Sequence, residues 1–243
     1  MARLGTQAGA AFPGHPTRAP DSLSRVRPLA EQIPPQGLPL DRLIAFGCAF
    51  AARLASDHAL DIARGDLHPE RIRWDGDATV ELADPPAPAV VPDPLPDLQD
   101  GAALAAVGYF APEQLAGRPV TVRSDMFVAG VILWQLATGS HPFADQRAHE
   151  IVSNIQGFHP PQPGRSRELL PIEWDQMCMI SLHKEPEMRL ASALDLERLM
   201  RQLAAHPTRG TRRDRQPRKL RLGRLLFVLL AVLAVTLVLT RIL

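Results

Sequence analysis

Two loop segments of this 243-residue sequence contain the side chains best suited to chemistry. The first is Gly65-Asp66-Leu67-His68-Pro69-Glu70, in which a carboxylate and an imidazole lie two residues apart. The second follows Val80-Glu81-Leu82 and contains Asp84. Carboxylates and imidazoles can accept a proton, and carboxylates can also bind a hard cation such as Mg²⁺. An aspartate in a loop is more often a turn residue, so these residue types alone leave a catalytic and a structural interpretation open.

The elements that must position these loops are mainly helices. The spacing of apolar residues predicts helices over about 39–58, 146–155, 174–182 and 191–203. Two short strands, 72–74 and 80–82, are predicted to form a hairpin through Asp75-Gly76-Asp77. Between Met126 and Ala137 the apolar residues are so dense that this helix must be buried on nearly every side. We expect it to begin after Ser124-Asp125 and to end at Gly139.

Composition separates an apolar body from a proline-rich start. Hydrophobic residues make up 46% of the chain, which is enough for a buried core. Residues 1–37 contain six prolines and no periodic apolar pattern, so they are predicted to form a disordered arm. The two cysteines, Cys48 and Cys178, both lie in apolar helical patterns, which favours buried thiols over a disulfide or a metal pair.

Several short motifs occur in order between Gly108 and Phe143, and together they carry a family resemblance. They are Ala111-Pro112-Glu113, Arg123-Ser124-Asp125, Gly130-Val131, Trp134 and His141-Pro142-Phe143. In this order and at this spacing they resemble the lower, C-terminal lobe of a bacterial, eukaryotic-like Ser/Thr protein kinase. The resemblance implies a mainly α, protein-kinase-like C-lobe with a short β-hairpin, which we place over residues 38–205.

The resemblance assigns structural roles to three charged residues. Glu113 falls on the family acid that pairs with an arginine far along the chain, and Arg189 falls on that arginine. Asp125 falls on the acid that caps the buried helix and fastens the catalytic loop. These three residues indicate the fold rather than an activity.

Other family positions carry phosphoryl transfer, and here the match is incomplete. Asp66 falls on the family's catalytic base and Asp84 on its magnesium-binding acid. The second metal ligand of the family, an asparagine, is replaced by Arg71, whose guanidinium cannot bind magnesium. Pro85-Pro86 replaces Phe-Gly beside Asp84. His68 replaces the family lysine, but Gly-Asp-Leu-His-Pro also resembles the loop of small-molecule kinases, so a catalytic role for His68 stays open.

The upper, N-terminal lobe of the family has no counterpart in the sequence. Its strands and helix need roughly 40 residues before turns are counted, whereas 37 proline-rich residues precede the first predicted helix. No Gly-x-Gly-x-x-Gly occurs, and both lysines, Lys184 and Lys219, follow the catalytic loop. We therefore expect the N-lobe to be absent and no cofactor to bind. Mg-ATP enters only if a misplaced start has removed the lobe or another chain supplies it.

The C-terminal end combines a basic segment with an apolar one. From Arg209 onward there are nine Lys/Arg and one Asp, a net charge of +8, so the remainder carries +1 − 8 = −7. Residues 206–224 are predicted to be a basic juxtamembrane linker, and 225–240 a transmembrane helix with wider limits of 222–243. Because most basic residues precede the apolar run, we expect a single-pass anchor in the inner, cytoplasmic membrane with the body in the cytoplasm.

The leading hypothesis is a membrane-anchored pseudokinase whose C-lobe acts as a binding or scaffold module in signalling. Its partners would be the lipid bilayer and a protein, for which another kinase is one candidate. The alternative is a Ser/Thr protein kinase whose N-lobe is missing from the gene model or supplied in trans. A third interpretation is a remnant without a selected function. A nucleic-acid role is not expected, because no aromatic residues are interleaved with the basic run.

Overall fold

The computed structural model describes residues 26–84, 106–145, 147–167 and 170–206. Within these residues the chain is mainly helical, as the sequence predicts, with a small sheet at one end. The helices are α1 (Leu40–His58), α2 (Pro112–Leu115), α3 (Val122–Thr138), α4 (Ala148–Gly157), α5 (Ile172–Ser181) and α6 (Ala193–Ala205). The strands are β1 (Arg27–Pro28), β2 (Ile72–Trp74) and β3 (Val80–Leu82).

Helix α3 is the centre of the structure. Every residue from Ser124 to Trp134 is buried, and α1, α5 and the segment 186–188 all pack against the helix. The helix begins earlier than predicted, after Thr121, whose backbone N–H donates to the Ser124 hydroxyl at 3.1 Å. It ends as predicted at Gly139, which has a φ of 79°. A helix surrounded by neighbours can be apolar on all sides, which accounts for its sequence.

Helices α1 and α6 form the most extensive helix pair. α1 is amphipathic and buries Leu43, Phe46, Phe50 and Leu54 completely. α6 begins two residues later than predicted, and its first turn meets the end of α1, where the Ala193 N–H donates to His58 Nδ1 at 3.1 Å. The end of α1 is thereby fixed beside the loop that contains Asp66.

The sheet has three antiparallel strands in the order β1-β2-β3. β2 and β3 are the predicted hairpin, and Asp75 Oδ1 accepts the backbone N–H groups of Asp77 and Thr79 within the turn. β1 pairs Arg27 with Trp74 of β2, and it was not predicted because it is only two residues long. A strand of that length has no periodicity that a sequence pattern could show.

The prediction of a disordered arm over 1–37 is wrong for residues 26–37. Leu29 is fully buried in a 3₁₀ turn, and the Leu38 N–H donates to the Leu136 carbonyl at 2.7 Å. A few apolar residues that fit the core hold this segment in place, although prolines surround them. Residues 1–25 lie outside the described part of the chain.

The predicted anchor also lies outside the described residues, as does most of the basic linker at 206–224. No helix among the described residues is long and apolar enough to cross a membrane. The membrane-spanning segment at 225–240 therefore stays a prediction.

Candidate functional site

The loop containing Asp66 is held from behind by the buried carboxylate of Asp125 on α3. Asp125 Oδ2 accepts the Arg64 N–H at 2.7 Å, and Oδ1 accepts the Gly65 N–H at 2.8 Å. His58 completes the arrangement, since its Nδ1 accepts the Ala193 N–H and its Nε2 therefore donates to Asp125 Oδ2 at 3.1 Å. Asp125 thus fastens the loop, as the resemblance implied for this position, whereas the N-cap of its own helix is Thr121.

Gln114 on α2 attaches the same loop from the other side. Its Nε2 donates to the Gly65 carbonyl at 2.9 Å, while its Oε1 accepts the Ala111 N–H at 2.9 Å. Gly65 has a φ of 67°, a conformation that favours glycine. Neither Gln114 nor His58 is predicted from the sequence, because a single Gln after a motif and a single His at a helix end are not distinctive signals.

Glu113 and Arg189 form a buried bidentate pair. Arg189 Nη1 and Nη2 lie 2.7 and 2.8 Å from the two carboxylate oxygens, and the Ser124 hydroxyl also donates to Glu113 Oε1 at 2.7 Å. The other Arg189 donors bind the carbonyls of His183, Lys184 and Arg123, so all five guanidinium N–H groups have partners. Burial alone would raise the pKa of Glu113, but the Arg189 and Ser124 hydrogen bonds outweigh it and lower the pKa.

Asp66, the candidate base, is in contact with arginine. Its Oδ2 lies 2.6 Å from Arg71 Nε, and its Oδ1 lies 3.9 Å from Arg64 Nε. The Arg71 N–H is not aligned for a hydrogen bond and Arg64 Nε lies beyond hydrogen-bond distance, so among the described residues the Asp66 carboxylate has ion pairs but no directed hydrogen bond. Burial raises the pKa of Asp66, and the Arg71 and Arg64 charges offset part of that rise.

His68 faces a cavity rather than Asp66. The cavity has a volume of about 300 Å³ and is lined by Ile33, His68, Glu70, Tyr109 and Gln135, among others, but not by Asp66. The ring centroids of His68 and Tyr109 are 6.2 Å apart, and burial lowers the pKa of His68. Asp66 therefore does not line this cavity together with His68.

Asp84 is the last described residue of its segment and is exposed. Its backbone carbonyl accepts a hydrogen bond from Arg71 Nη2 at 2.7 Å. Residues 71 and 83 are also paired directly, because the Ala83 N–H donates to the Arg71 carbonyl at 3.0 Å. Arg71 is thus the residue that connects the loop of Asp66 to the end of β3.

These side chains do not fit a magnesium site. Mg²⁺ requires oxygen ligands in near-octahedral geometry, whereas here the Arg71 guanidinium lies 2.6 Å from the Asp66 carboxylate and binds the Asp84 carbonyl. No group of three or more His, Cys, Asp or Glu within the described ranges could hold a metal ion. Among the described residues, the Asp66 carboxylate is engaged by the Arg71 guanidinium, and the same arginine holds the loop to the end of β3.

Comparison with known proteins identifies relatives of this fold. A family model described as protein tyrosine and serine/threonine kinase matches residues 66–198, more than half of the chain. The serine/threonine-protein kinase PknH of Mycobacterium tuberculosis strain H37Rv is 31% identical over 166 residues, which cover 68% of this chain and 25% of PknH. Pkn1 of Myxococcus xanthus is 31% identical over 169 residues, 68% of this chain and 24% of Pkn1.

PknD of Mycobacterium tuberculosis strain H37Rv is 29% identical over 166 residues, again 68% of this chain and 24% of the relative. The chain thus spans about a quarter of the length of the curated relatives it matches. The matched residues include the loop of Asp66, α3 and the segment of Arg189, which are the parts that build the site.

Proposed function

Because this chain belongs to the protein tyrosine and serine/threonine kinase family, we propose that it is a membrane-anchored pseudokinase, a kinase-like C-lobe that acts as a binding or scaffold module in signalling. The observation that carries this proposal is the contact between Asp66 and Arg71. A base must approach the acceptor hydroxyl, and magnesium must approach the phosphates. A guanidinium 2.6 Å from the Asp66 carboxylate obstructs the approach of the hydroxyl group and repels the magnesium ion.

The structural residues of the lobe support a scaffold role. Asp125 and Gln114 bind the loop directly, and the buried Glu113–Arg189 pair joins α2 to the segment before α6. A lobe fixed by such internal contacts can present a constant surface to a protein partner. We propose that this partner is a protein of the same membrane, with another kinase as one candidate.

The alternative function is an active Ser/Thr protein kinase that uses an N-lobe from elsewhere. The observation that favours it is the retained position of Asp66 on a loop fixed to α3. In that case Asp66 would orient the acceptor hydroxyl and Asp84 would hold magnesium, which requires Arg71 to leave both segments.

A thermal-shift titration of the purified full chain in detergent, with and without Mg-ATP, tests the proposal. A ligand that binds only the native state must raise its melting temperature, so we expect no shift. A phosphate-transfer assay with a general protein substrate should show no activity. Transfer that the Asp66→Asn variant abolishes would contradict the pseudokinase proposal and support the alternative.

A further inference from the structure

Charged side chains alternate in sign from α1 into the candidate site. On α1, Asp57 Oδ1 lies 2.6 Å from Arg53 Nη1, and Asp57 Oδ2 lies 2.7 Å from Nη1 of Arg64 in the following loop. Burial alone would raise the pKa of Asp57, but the bonds from Arg53 and Arg64 outweigh it and lower that pKa. Arg64 is only 4% exposed, so its charge is anchored inside the lobe by a carboxylate of α1.

The alternation continues through Asp66 to the end of β3. Arg64 Nε lies 3.9 Å from Asp66 Oδ1, and Asp66 Oδ2 lies 2.6 Å from Arg71 Nε. Arg71 Nη2 then donates to the Asp84 carbonyl at 2.7 Å. Three arginines and two carboxylates thus form one continuous series, which we call the charge series: Arg53, Asp57, Arg64, Asp66 and Arg71.

The charge series supplies a counter-charge to the mostly buried Asp66 carboxylate, in a site whose residues do not fit a metal ion. The Asp66 side chain is 10% exposed, and a desolvated carboxylate needs a counter-charge. In the kinase family a divalent cation is held between the residue at position 71 and the acid at position 84, and it thereby connects this loop to the segment after β3. The Arg71 guanidinium provides the charge through Nε and the connection through Nη2.

We propose that Arg71 takes the place of the divalent cation as a permanent internal counter-ion, so that the Asp66 loop and the Asp84 segment are held together without metal or nucleotide. The inference rests on the proposed function and deepens it, because it says how the lobe keeps its shape. Arg71 acts here as a positioning residue through Asp66.

Thermal unfolding of the full chain in detergent, in EDTA and in millimolar MgCl₂, tests the inference. We expect the wild type to have the same melting temperature in both solutions. Arg71→Ala should melt roughly 3–10 °C lower, since it leaves the Asp66 carboxylate without its nearest counter-charge. Arg118→Ala is the matched control, because it removes the same charge from an exposed position and should change the melting temperature by at most about 1–2 °C.

Two further variants separate a counter-ion from a generally stabilising side chain. Arg71→Ala combined with Asp66→Asn should melt higher than Arg71→Ala alone, because the unpaired carboxylate is gone. Arg71→Asn introduces an amide oxygen and should regain part of its lost melting temperature in MgCl₂ but not in EDTA. Strict additivity of the two substitutions, or an Arg71→Asn variant that ignores Mg²⁺, would overturn the inference.

The wild type distinguishes this inference from the proposed function. If Mg²⁺ alone raised the wild-type melting temperature, a cation would bind despite Arg71, and the inference would fail. If Mg-ATP raised it while Mg²⁺ alone did not, the pseudokinase proposal would fail and the internal counter-ion would stand.

Discussion

At the scale of single residues, Glu113 and Arg189 form an ion pair in which both side chains are buried. Glu113→Gln keeps the shape of the side chain but leaves the Arg189 guanidinium buried without its counter-charge. We expect a loss of about 3–5 kcal/mol in the free energy of unfolding, measured by urea denaturation. The matched control is Glu187→Gln, whose side chain is 83% exposed and 3.3 Å from Arg123, and which should cost less than about 1 kcal/mol. Equal losses in the two variants would contradict this assignment.

His141 makes the stability of the lobe sensitive to mild acid. Its Nδ1 accepts the Phe143 N–H at 3.1 Å, so its Nε2 carries the proton and donates to the Gly108 carbonyl, also at 3.1 Å. Burial lowers the pKa of His141 to about 4, and the Gly108 hydrogen bond offsets only part of this. Protonation of Nδ1 would break the bond from Phe143.

Because the folded pKa of His141 lies below the unfolded value, the unfolded state binds the proton first as the pH falls. We therefore expect the contribution of neutral His141 to the free energy of unfolding to be complete above about pH 6.5. This contribution should be lost progressively toward pH 4, by roughly 3 kcal/mol in total. Urea unfolding over this pH range measures the slope. His141→Gln cannot titrate and should show a shallower slope than the wild type, even though it is less stable at pH 7. Identical slopes would mean that other groups cause the acid sensitivity.

The family resemblance predicted which residues have structural roles better than it predicted which atoms those residues contact. Glu113 and Arg189 are 76 residues apart, and only a match to family positions could have indicated that they pair. The substitution at Arg71 was visible in the sequence, but its contact with Asp66 was not, because a side-chain direction depends on the loop that carries it. Asp57 and His58 lie at the end of a helix and have no local pattern that marks them as supports of the site.

At the scale of elements, the end of α3 is fixed by the segment that precedes α1. Gly139 has a φ of 79°, and a Cβ added there would lie 2.1 Å from the Pro35 carbonyl oxygen. Gly117 has a φ of 69°, but a Cβ there would meet nothing within 4 Å. The two glycines share a backbone conformation and differ in their surroundings, so they form a matched pair.

We expect Gly117→Ala to cost about 1 kcal/mol in the free energy of unfolding, from backbone strain alone. Gly139→Ala should cost about 3 kcal/mol, because strain is joined by displacement of the segment around Pro35. Chemical denaturation of both variants measures the difference. If the two losses were equal, the segment at 34–38 would not be packed on α3 in solution as described.

The spacing of apolar residues predicted α1, α4, α5 and α6 to within two residues at each end, and the density of apolar residues predicted α3, whereas the short helix α2 was not predicted. The same spacing failed for residues 26–37, where single side chains such as Val26 and Leu29 enter the core. Proline content was a misleading guide here, since a proline restricts the backbone without preventing its neighbours from packing. Strand β1, which was not predicted, lies in this segment. We attribute its pairing with β2 to the packing of the segment and not to the strand propensity of its residues.

At the scale of the whole molecule, the described lobe accounts for the family but not for the location of the protein. The dense apolar pattern of α3 predicted a central helix directly, because a helix that is apolar on all sides must be buried by its neighbours. The location depends on the segment at 225–240 and on the charge difference between a tail of +8 and a remainder of −7. The apolar segment and the basic tail both lie outside the described residues, and the membrane anchor is therefore a proposal.

Membrane anchoring can be tested in bacterial cells with the full chain. We expect the wild type to sediment with membranes, to resist alkaline carbonate and to be released by detergent. Leu230→Arg combined with Leu233→Arg places two charges near the centre of the apolar run, at a cost of about 2.5–3.5 kcal/mol each for insertion, and should move the protein to the soluble fraction. Leu220→Arg adds a charge within the linker and should leave the protein in the membrane.

Orientation follows from the same charges and can be measured on the same membranes. Eight of the nine basic residues from Arg209 onward precede the apolar run, so the lobe should remain on the cytoplasmic side. Protease added to intact spheroplasts should then spare the lobe, and protease added after lysis should digest it. A lobe that is cut in intact spheroplasts would place it outside the cytoplasm. A double arginine variant that still resists carbonate would show that another part of the chain binds the membrane.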